Sequence, residues 1–408
     1  MANNHIMHNG HLFHIFITLF ILANQVKANN VVTDIQSHDS VPVIETLTDS
    51  VSINPENKPK SFIGKIINYF NESNKPKQYK RFDFSIIGGP HYSSDTKFGI
   101  GLVAAGNYNT SPKDTVTSLS NVSLYGDVST VGFYLIGIRG NHFGPTDRYR
   151  IDYNVHFYSF PRKFWGIGYD AGNNYDNAVK FDEFLISGYA QFLGNLGRGF
   201  YFGPGFEVAH ARARHVTDAT LWAGQSLRTT NLGLSISAIF DTRDNLTAPQ
   251  RGWYAGLVQR FYPRFLWNDY AFSSTSLDLS GYFPTWKDAV VAAHLHTTLG
   301  YGNVPWALMP TFGGSNSMRG YYEGRFRDKC EADITVEIRQ HIWRRNGIVV
   351  WGGLGSVFRK PSEFRWRRLL PNGGIGYRWE FKKRTNVRLD FGIGKGETAF
   401  IFNINEAF

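Results

Sequence analysis

The sequence predicts an all-β protein: a transmembrane antiparallel β-barrel of 16 strands over residues 81–408, with the loop between the eleventh and twelfth strands folded inward. Three observations predict it. Apolar and polar residues alternate with period two in repeated segments of about ten residues. After residue 25 no stretch approaches the ~20 apolar residues that a membrane helix needs. Forty-two glycines with 33 Phe, 21 Tyr and 10 Trp, against four Met, favour short strands and tight turns over helices.

Taken in order, residues 1–28 form an export signal: an apolar run from Leu12 to Ala23, too short for a membrane span, ends near the small residue Ala28. His5, His8, His11 and His14 recur every third residue but belong to this removed segment, so they are not expected to hold metal. Residues 29–80 are polar, rich in turn formers and without period, as expected of a periplasmic tail. Within it "FIGKIINYF", Phe62 to Phe70, has room for a short amphipathic helix against a membrane surface or a barrel mouth. The single cysteine, Cys330, excludes an internal disulfide.

From Arg81 onward the period is two. In "NLGLSISAIFD" Leu232, Leu234, Ile236, Ala238 and Phe240 alternate with small polar residues. In "TNVRLDFGIGKG" Val387, Leu389, Phe391 and Ile393 oppose Arg388, Asp390, Gly392 and Gly394, a face that is charged and then empty. Strands are expected to begin near Phe82, Gly99, Val122, Val131, Tyr149, Phe181, Phe200, Asn231, Gly252, Tyr270, Val290, Ala332, Gly347, Gly373, Asn386 and Thr398. A soluble sandwich alternates in the same way. The number and length of the segments choose the barrel, and so do the connections: long ones (161–180, 214–229, 303–331, 359–372) fall on one side and short ones such as "LGNLGRG" and "FKKRTN" on the other. The end of the sequence, "ETAFIFNINEAF", places Phe400, Phe402, Ile404 and Phe408 at alternate positions and is similar to the terminal strand signal of bacterial outer-membrane barrels.

Three stretches together resemble one family. "FDTRDNLTAPQRGWY" (Phe240 to Tyr254), "GGSNSMRGYYEG" (Gly313 to Gly324) and "AFIFNINEAF" are similar, in order, to a strand-turn-strand segment, a signature Val-Arg-Gly-Phe loop and the final strand of the bacterial surface antigen superfamily, the BamA/TamA-type outer-membrane barrels. The resemblance covers about 81–408 and implies a lumenal loop motif at Met318, Arg319, Gly320 and Tyr321. It also implies a role in insertion, assembly or translocation of proteins at the outer membrane of a Gram-negative bacterium. An anchoring or accessory barrel of a larger complex and a passive pore are the alternatives. The 52 residues before the barrel leave no room for the periplasmic POTRA repeats of BamA-type proteins.

An Arg carried into a barrel lumen needs a carboxylate partner, because a buried unpaired charge costs several kcal/mol. In "ADITVEIRQHI" Glu337 shares a face with Asp333, Thr335 and Arg339, opposite Ile334, Val336 and Ile338, and is the expected loop anchor. A guanidinium meets a carboxylate through two parallel bonds, which Lys cannot do. The family's further Asp on the next strand falls at Gly353, which leaves Glu337 as the single expected anchor. "FWGIGYDAG", Phe164 to Gly172, is expected to be an exterior loop with Trp165 and Tyr169 as interface aromatics.

No catalytic triad, metal cluster or phosphate-binding loop can be assembled from these residues, so no enzyme activity, metal or cofactor is expected. The net charge of +10 suits outer-membrane lipid and lipopolysaccharide rather than nucleic acid, since no helix or aromatic platform concentrates it. Outer-membrane protein substrates or assembly-complex subunits complete the expected partners.

Overall fold

Antiparallel pairing of each strand with the next in the chain organises the computed structural model, which describes residues 82–93, 97–110, 120–382 and 384–408. The export signal 1–28, the tail 29–80 and the helix expected at Phe62–Phe70 lie outside the described residues. Sixteen strands are found among the described residues: β1 (Phe82–Ser93), β2 (Lys97–Tyr108), β3 (Ser120–Ser129), β4 (Tyr134–Phe143), β5 (Tyr149–Phe164), β6 (Val179–Gly197), β7 (Phe200–Arg214) and β8 (Arg228–Asp241). They continue with β9 (Gly252–Tyr262), β10 (Phe272–Pro284), β11 (Ala289–Gly302), β12 (Cys330–Trp343), β13 (Asn346–Phe358), β14 (Leu370–Lys382), β15 (Thr385–Gly394) and β16 (Glu397–Ile404). Every start expected from the sequence lies within three residues of one of these.

Burial is inverted relative to a soluble protein. Along β8 Ile236 is 47% exposed while its neighbour Ser237 is fully buried, and along β12 Ile334, Val336 and Ile338 face outward while Thr335 and Glu337 are buried. An apolar exterior around a polar interior is stable only where the surrounding solvent is hydrocarbon. Trp253, Trp286 and Trp343 stand exposed at the short-turn rim, and Trp267 and Trp366 at the long-loop rim, as two aromatic girdles do.

The wall is uneven in height. β6 has 19 residues, roughly 60 Å at about 3.3 Å each, twice the ~30 Å hydrocarbon thickness, whereas β16 has eight. The ring is also uneven in bonding. β5 and β6 pair continuously from Tyr149↔Gly194 to Phe164↔Val179, but β1 and β16 meet at one residue pair, Ser93↔Ile401.

The segment between β8 and β9 crosses the floor of the barrel. Thr247 Oγ1 donates to the Arg384 carbonyl (2.6 Å), Arg384 Nη2 donates to Asp244 Oδ2 (2.9 Å) and the Glu406 N–H donates to the Thr247 carbonyl (3.1 Å). Two of the three stretches that carry the family resemblance therefore touch each other beneath the lumen.

Candidate functional site: a loop latched inside the lumen

The 303–329 connection is too long to be a turn and too apolar at Phe312, Met318, Tyr321 and Phe326 to stay in water; all four are buried, and they pack with Tyr169, Val357 and Leu370. The loop doubles back on itself. Thr311 bridges Arg327, the Phe312 N–H donates to the Phe326 carbonyl (3.1 Å) and the Gly324 N–H donates to the Phe312 carbonyl (3.0 Å). At the inner end Met318 and Gly320 both have positive φ, 45° and 119°, and this sharp reversal pushes Arg319 outward into the wall.

Arg319 is fully buried between two carboxylates. Its Nη2 donates to Glu337 Oε1 on β12, and its Nη1 donates to Asp390 Oδ2 on β15 at 2.7 Å. The guanidinium lies 3.8 Å from the Trp351 ring centre, and Asn372 Nδ2 donates to the Arg319 carbonyl (3.0 Å). Each carboxylate serves a second arginine: Arg339 Nε reaches Glu337 Oε2 (2.8 Å) and Arg378 Nη1 reaches Asp390 Oδ1 (2.6 Å), while Arg378 Nε continues to Glu406 Oε2 (2.8 Å). Alternating charges thus join β12, β14, β15, the loop and the segment after β16. With each of its central carboxylates held by two guanidinium groups, such a network fixes the position of the loop.

Expectation and structure differ at the second anchor. The sequence left Glu337 alone, because Gly353 stands where the family has Asp; the structure supplies Asp390 from β15 instead. The loop runs so close to that strand that side chains are excluded. A Cβ at Gly392 would stand 2.6 Å from the Arg319 carbonyl oxygen, and one at Gly394 would stand 2.8 Å from the Tyr321 ring. The "empty" face of "TNVRLDFGIGKG" is the seat of the loop.

Tyr321 fixes the next step of the chain. Its hydroxyl donates to the Pro371 carbonyl (2.7 Å) and accepts from the Lys395 N–H (2.8 Å), and burial raises its pKa above that of an ordinary phenol. The loop then grips β16 directly, since Arg325 Nη1 is 2.7 Å from Glu397 Oε1 and the Tyr322 N–H donates to Glu397 Oε2 (3.0 Å). Arg325, Tyr322 and Glu397 were not anticipated. Nothing in local period tells which loop residue will meet a strand some 70 positions later.

Two further expectations change. Trp165 and Tyr169 are not interface aromatics. Trp165 is buried with its ring 5.3 Å from that of Tyr322, and Tyr169 is buried 5.7 Å from Phe326, so the 165–178 loop covers the lumenal loop. Phe408 does not extend the last strand. Phe400 and Phe402 lie on β16, half-buried, but β16 ends at Ile404, and Asn405, at φ 71°, turns the chain inward. The buried Glu406–Arg378 pair draws the segment into the lumen, where the Phe408 ring stacks on His294 (4.8 Å) under the Arg339 guanidinium (5.1 Å). Met318, Arg319, Gly320, Tyr321 and Glu337 come together; Phe408 sits apart at the base.

The Omp85 superfamily domain matches residues 144–354, just over half of the chain. Among solved structures the chain is similar to BamA from Haemophilus ducreyi lacking POTRA domains 1–3, at TM-score 0.54 and 14% identity over 80% of this chain and 71% of that one. It is also similar to CdiB from Escherichia coli (TM-score 0.52, 9% identity, 84% and 70% covered) and to CdiB from Acinetobacter baumannii (0.51, 13%, 80% and 60%). Comparison with curated proteins gave no match. Identities this low speak for the fold alone, and they agree with the inverted burial and the ring of strands that the chain is an outer-membrane β-barrel. By the match over more than half its length, it belongs to the Omp85 superfamily.

Proposed function

We propose that this barrel inserts or translocates polypeptides at the outer membrane of a Gram-negative bacterium, with a substrate strand pairing at the seam between β1 and β16. The observation that carries the reading is the seam: Ser93↔Ile401 is its one residue pair, whereas the neighbouring β15–β16 pair runs from Val387↔Ile404 to Gly394↔Glu397. Unpaired backbone groups in lipid are costly, so strand edges that leave most of theirs unmatched favour a third strand between them. The loop's grip on Glu397 of β16 would let the state of the lumen bias the seam. Lipopolysaccharide and lipid surround the barrel in this reading, and outer-membrane protein clients or assembly subunits meet it at the seam.

A lock tests it. In a Cys330→Ala background, Ser93→Cys with Ile401→Cys places two cysteines at a paired position, within reach of a disulfide. Oxidation is expected to stop client assembly and surface display in cells, and reductant to restore both. A barrel that only anchors a complex, or a passive pore, would be indifferent to the lock, and unchanged client levels under complete oxidation would exclude the seam mechanism.

A further inference from the structure

Like charges face each other across the long-loop end of the tall part of the wall. Lys163 on β5 is directly opposite Lys180 on β6, and Arg212 on β7 is directly opposite Arg228 on β8. All four side chains are exposed on the outward face, in alternation with the buried Arg162, Phe181, Ala211 and Thr229. Opposed residues of an antiparallel pair hold their Cβ atoms about 5 Å apart, where two cations repel. Arg214 is opposite Asp182, yet its guanidinium reaches across Phe184, 5.1 Å from the ring centre, to Ser159 Oγ at 3.3 Å. The nearby carboxylates are engaged: Asp182 Oδ2 lies 2.6 Å from His215 Nδ1, and Asp218 accepts from the N–H (2.9 Å) and the hydroxyl of Thr220. Among the described residues none of Lys163, Lys180, Arg212 and Arg228 forms an ion pair.

The patch stands at a defined height. On the outward face of β6 apolar and small residues run from Phe192 through Ala190, Gly188 and Ile186 to Phe184, about 26 Å at strand spacing, close to the ~25 Å apolar band of a transmembrane barrel. Lys180 lies beyond Phe184 on the long-loop side, at the level of the outer-leaflet headgroups, and Arg212 is opposite Phe184 itself. The two like-charge pairs are therefore separated by roughly 13 Å along the wall. We infer that this face binds an outer-leaflet glycolipid carrying two phosphates, one seated between Lys163 and Lys180 and the other between Arg212 and Arg228. An anion placed between two cations turns their repulsion into a bridge, and a guanidinium fork meets phosphate through two parallel bonds. The acyl chains then lie on the apolar face beneath, over Phe157 and Phe184, whose rings are 5.2 Å apart, and over exposed Ile186 and Phe206. Such a lipid supplies in one molecule the separated anions and the hydrocarbon that this face matches. The inference rests on the outer-membrane part of the reading above and not on translocation.

The test uses the full chain refolded in a neutral detergent and titrated with lipid A bearing two phosphates, with its one-phosphate form and with phosphatidylglycerol. Native mass spectrometry reads the stoichiometry, and the folded-to-unfolded shift on gels reads the thermal midpoint. Saturable binding of one two-phosphate lipid per barrel is expected, with a raised midpoint and with clearly weaker binding of the other two lipids. Lys163→Gln with Lys180→Gln, and separately Arg212→Gln with Arg228→Gln, should each weaken it about thirtyfold, the combined effect of two basic residues at an anionic surface. Lys180→Glu separates the binding role from a structural one. It sets an opposite charge across from Lys163, so it should raise the midpoint of the lipid-free barrel while it weakens the lipid. No saturable binding, equal affinity for the one-phosphate form or for phosphatidylglycerol, parent-like binding by both double variants, or a lowered lipid-free midpoint in Lys180→Glu would each overturn the site. These readouts need no client protein, so their failure is separate from failure of the seam lock.

Discussion

Arg319→Ala is expected to free the loop from the wall, raising conductance in planar bilayers and opening residues 313–328 to protease, while the barrel itself still forms. Removing one member of a buried ion pair costs about 3–5 kcal/mol when the other is stranded. Here neither carboxylate is stranded, because Glu337 keeps Arg339 and Asp390 keeps Arg378, so the effect should fall near 3 kcal/mol. It also falls on one element: Arg319 contributes nothing to the strand ladders, but its one guanidinium ties the loop to both β12 and β15, beside the separate holds of Ser317 on Asp333 and of Arg388 on Ser315. Arg319→Lys should be intermediate, since an ammonium on a single stem does not reproduce the fork that spans two carboxylates. Glu337→Gln should do less again, because Arg319 retains Asp390. If Arg319→Ala matches the parent in conductance and in protease resistance, the loop is held by the contacts of Ser317, Tyr321, Arg325 and Arg388 and not by the two Arg319 ion pairs.

What the sequence discloses and what it withholds divide along a physical line. The strands were legible because each is written locally. Ile334, Val336 and Ile338 must meet hydrocarbon and Thr335 and Glu337 must not, and this requirement is repeated in every segment without reference to any other. The inward direction of Glu337 was legible for the same reason. Its partner Asp390 was not singled out, although it lies on a charged face, because which of several inward carboxylates meets Arg319 depends on the path of a long loop through a closed ring. Trp165 failed similarly: Trp is at home at a membrane interface or under a loop, and only the position of Tyr322 decides between them. Phe408 continued the alternation of β16 in the sequence, and alternation cannot register the left-handed Asn405 that ends the strand or the Arg378 that draws Glu406 inward.

Gly353→Asp gives the family residue back to the place where the sequence departs from it, and it is expected to destabilise the barrel and not to strengthen the latch. From sequence alone the substitution should restore a missing second carboxylate. The structure leaves no room for one: a Cβ at Gly353 would stand 2.4 Å from Asn372 Oδ1, 2.8 Å from the Ile334 carbonyl oxygen and 2.9 Å from Thr335 Oγ1. Two of the three are carbonyl oxygens, which can only accept, and the Thr335 hydroxyl is the one donor among them, so the new carboxylate would be poorly matched in a space already filled. Asn372 would have to move, and its Nδ2 is the donor that holds the Arg319 carbonyl, so the loop loses a support at the moment it is meant to gain one. Overpacking and an unmatched buried charge each cost about 1–3 kcal/mol or more, and together they should lower the temperature of the folded-to-unfolded shift on gels more than Arg319→Ala does. The double variant Gly353→Asp with Asp390→Asn decides the matter: if it holds the loop as firmly as the parent, then position 353 can supply the second anchor and Asp390 is replaceable; if it is worse than either single change, the latch has been rebuilt around β15 and Gly353 is required to be empty.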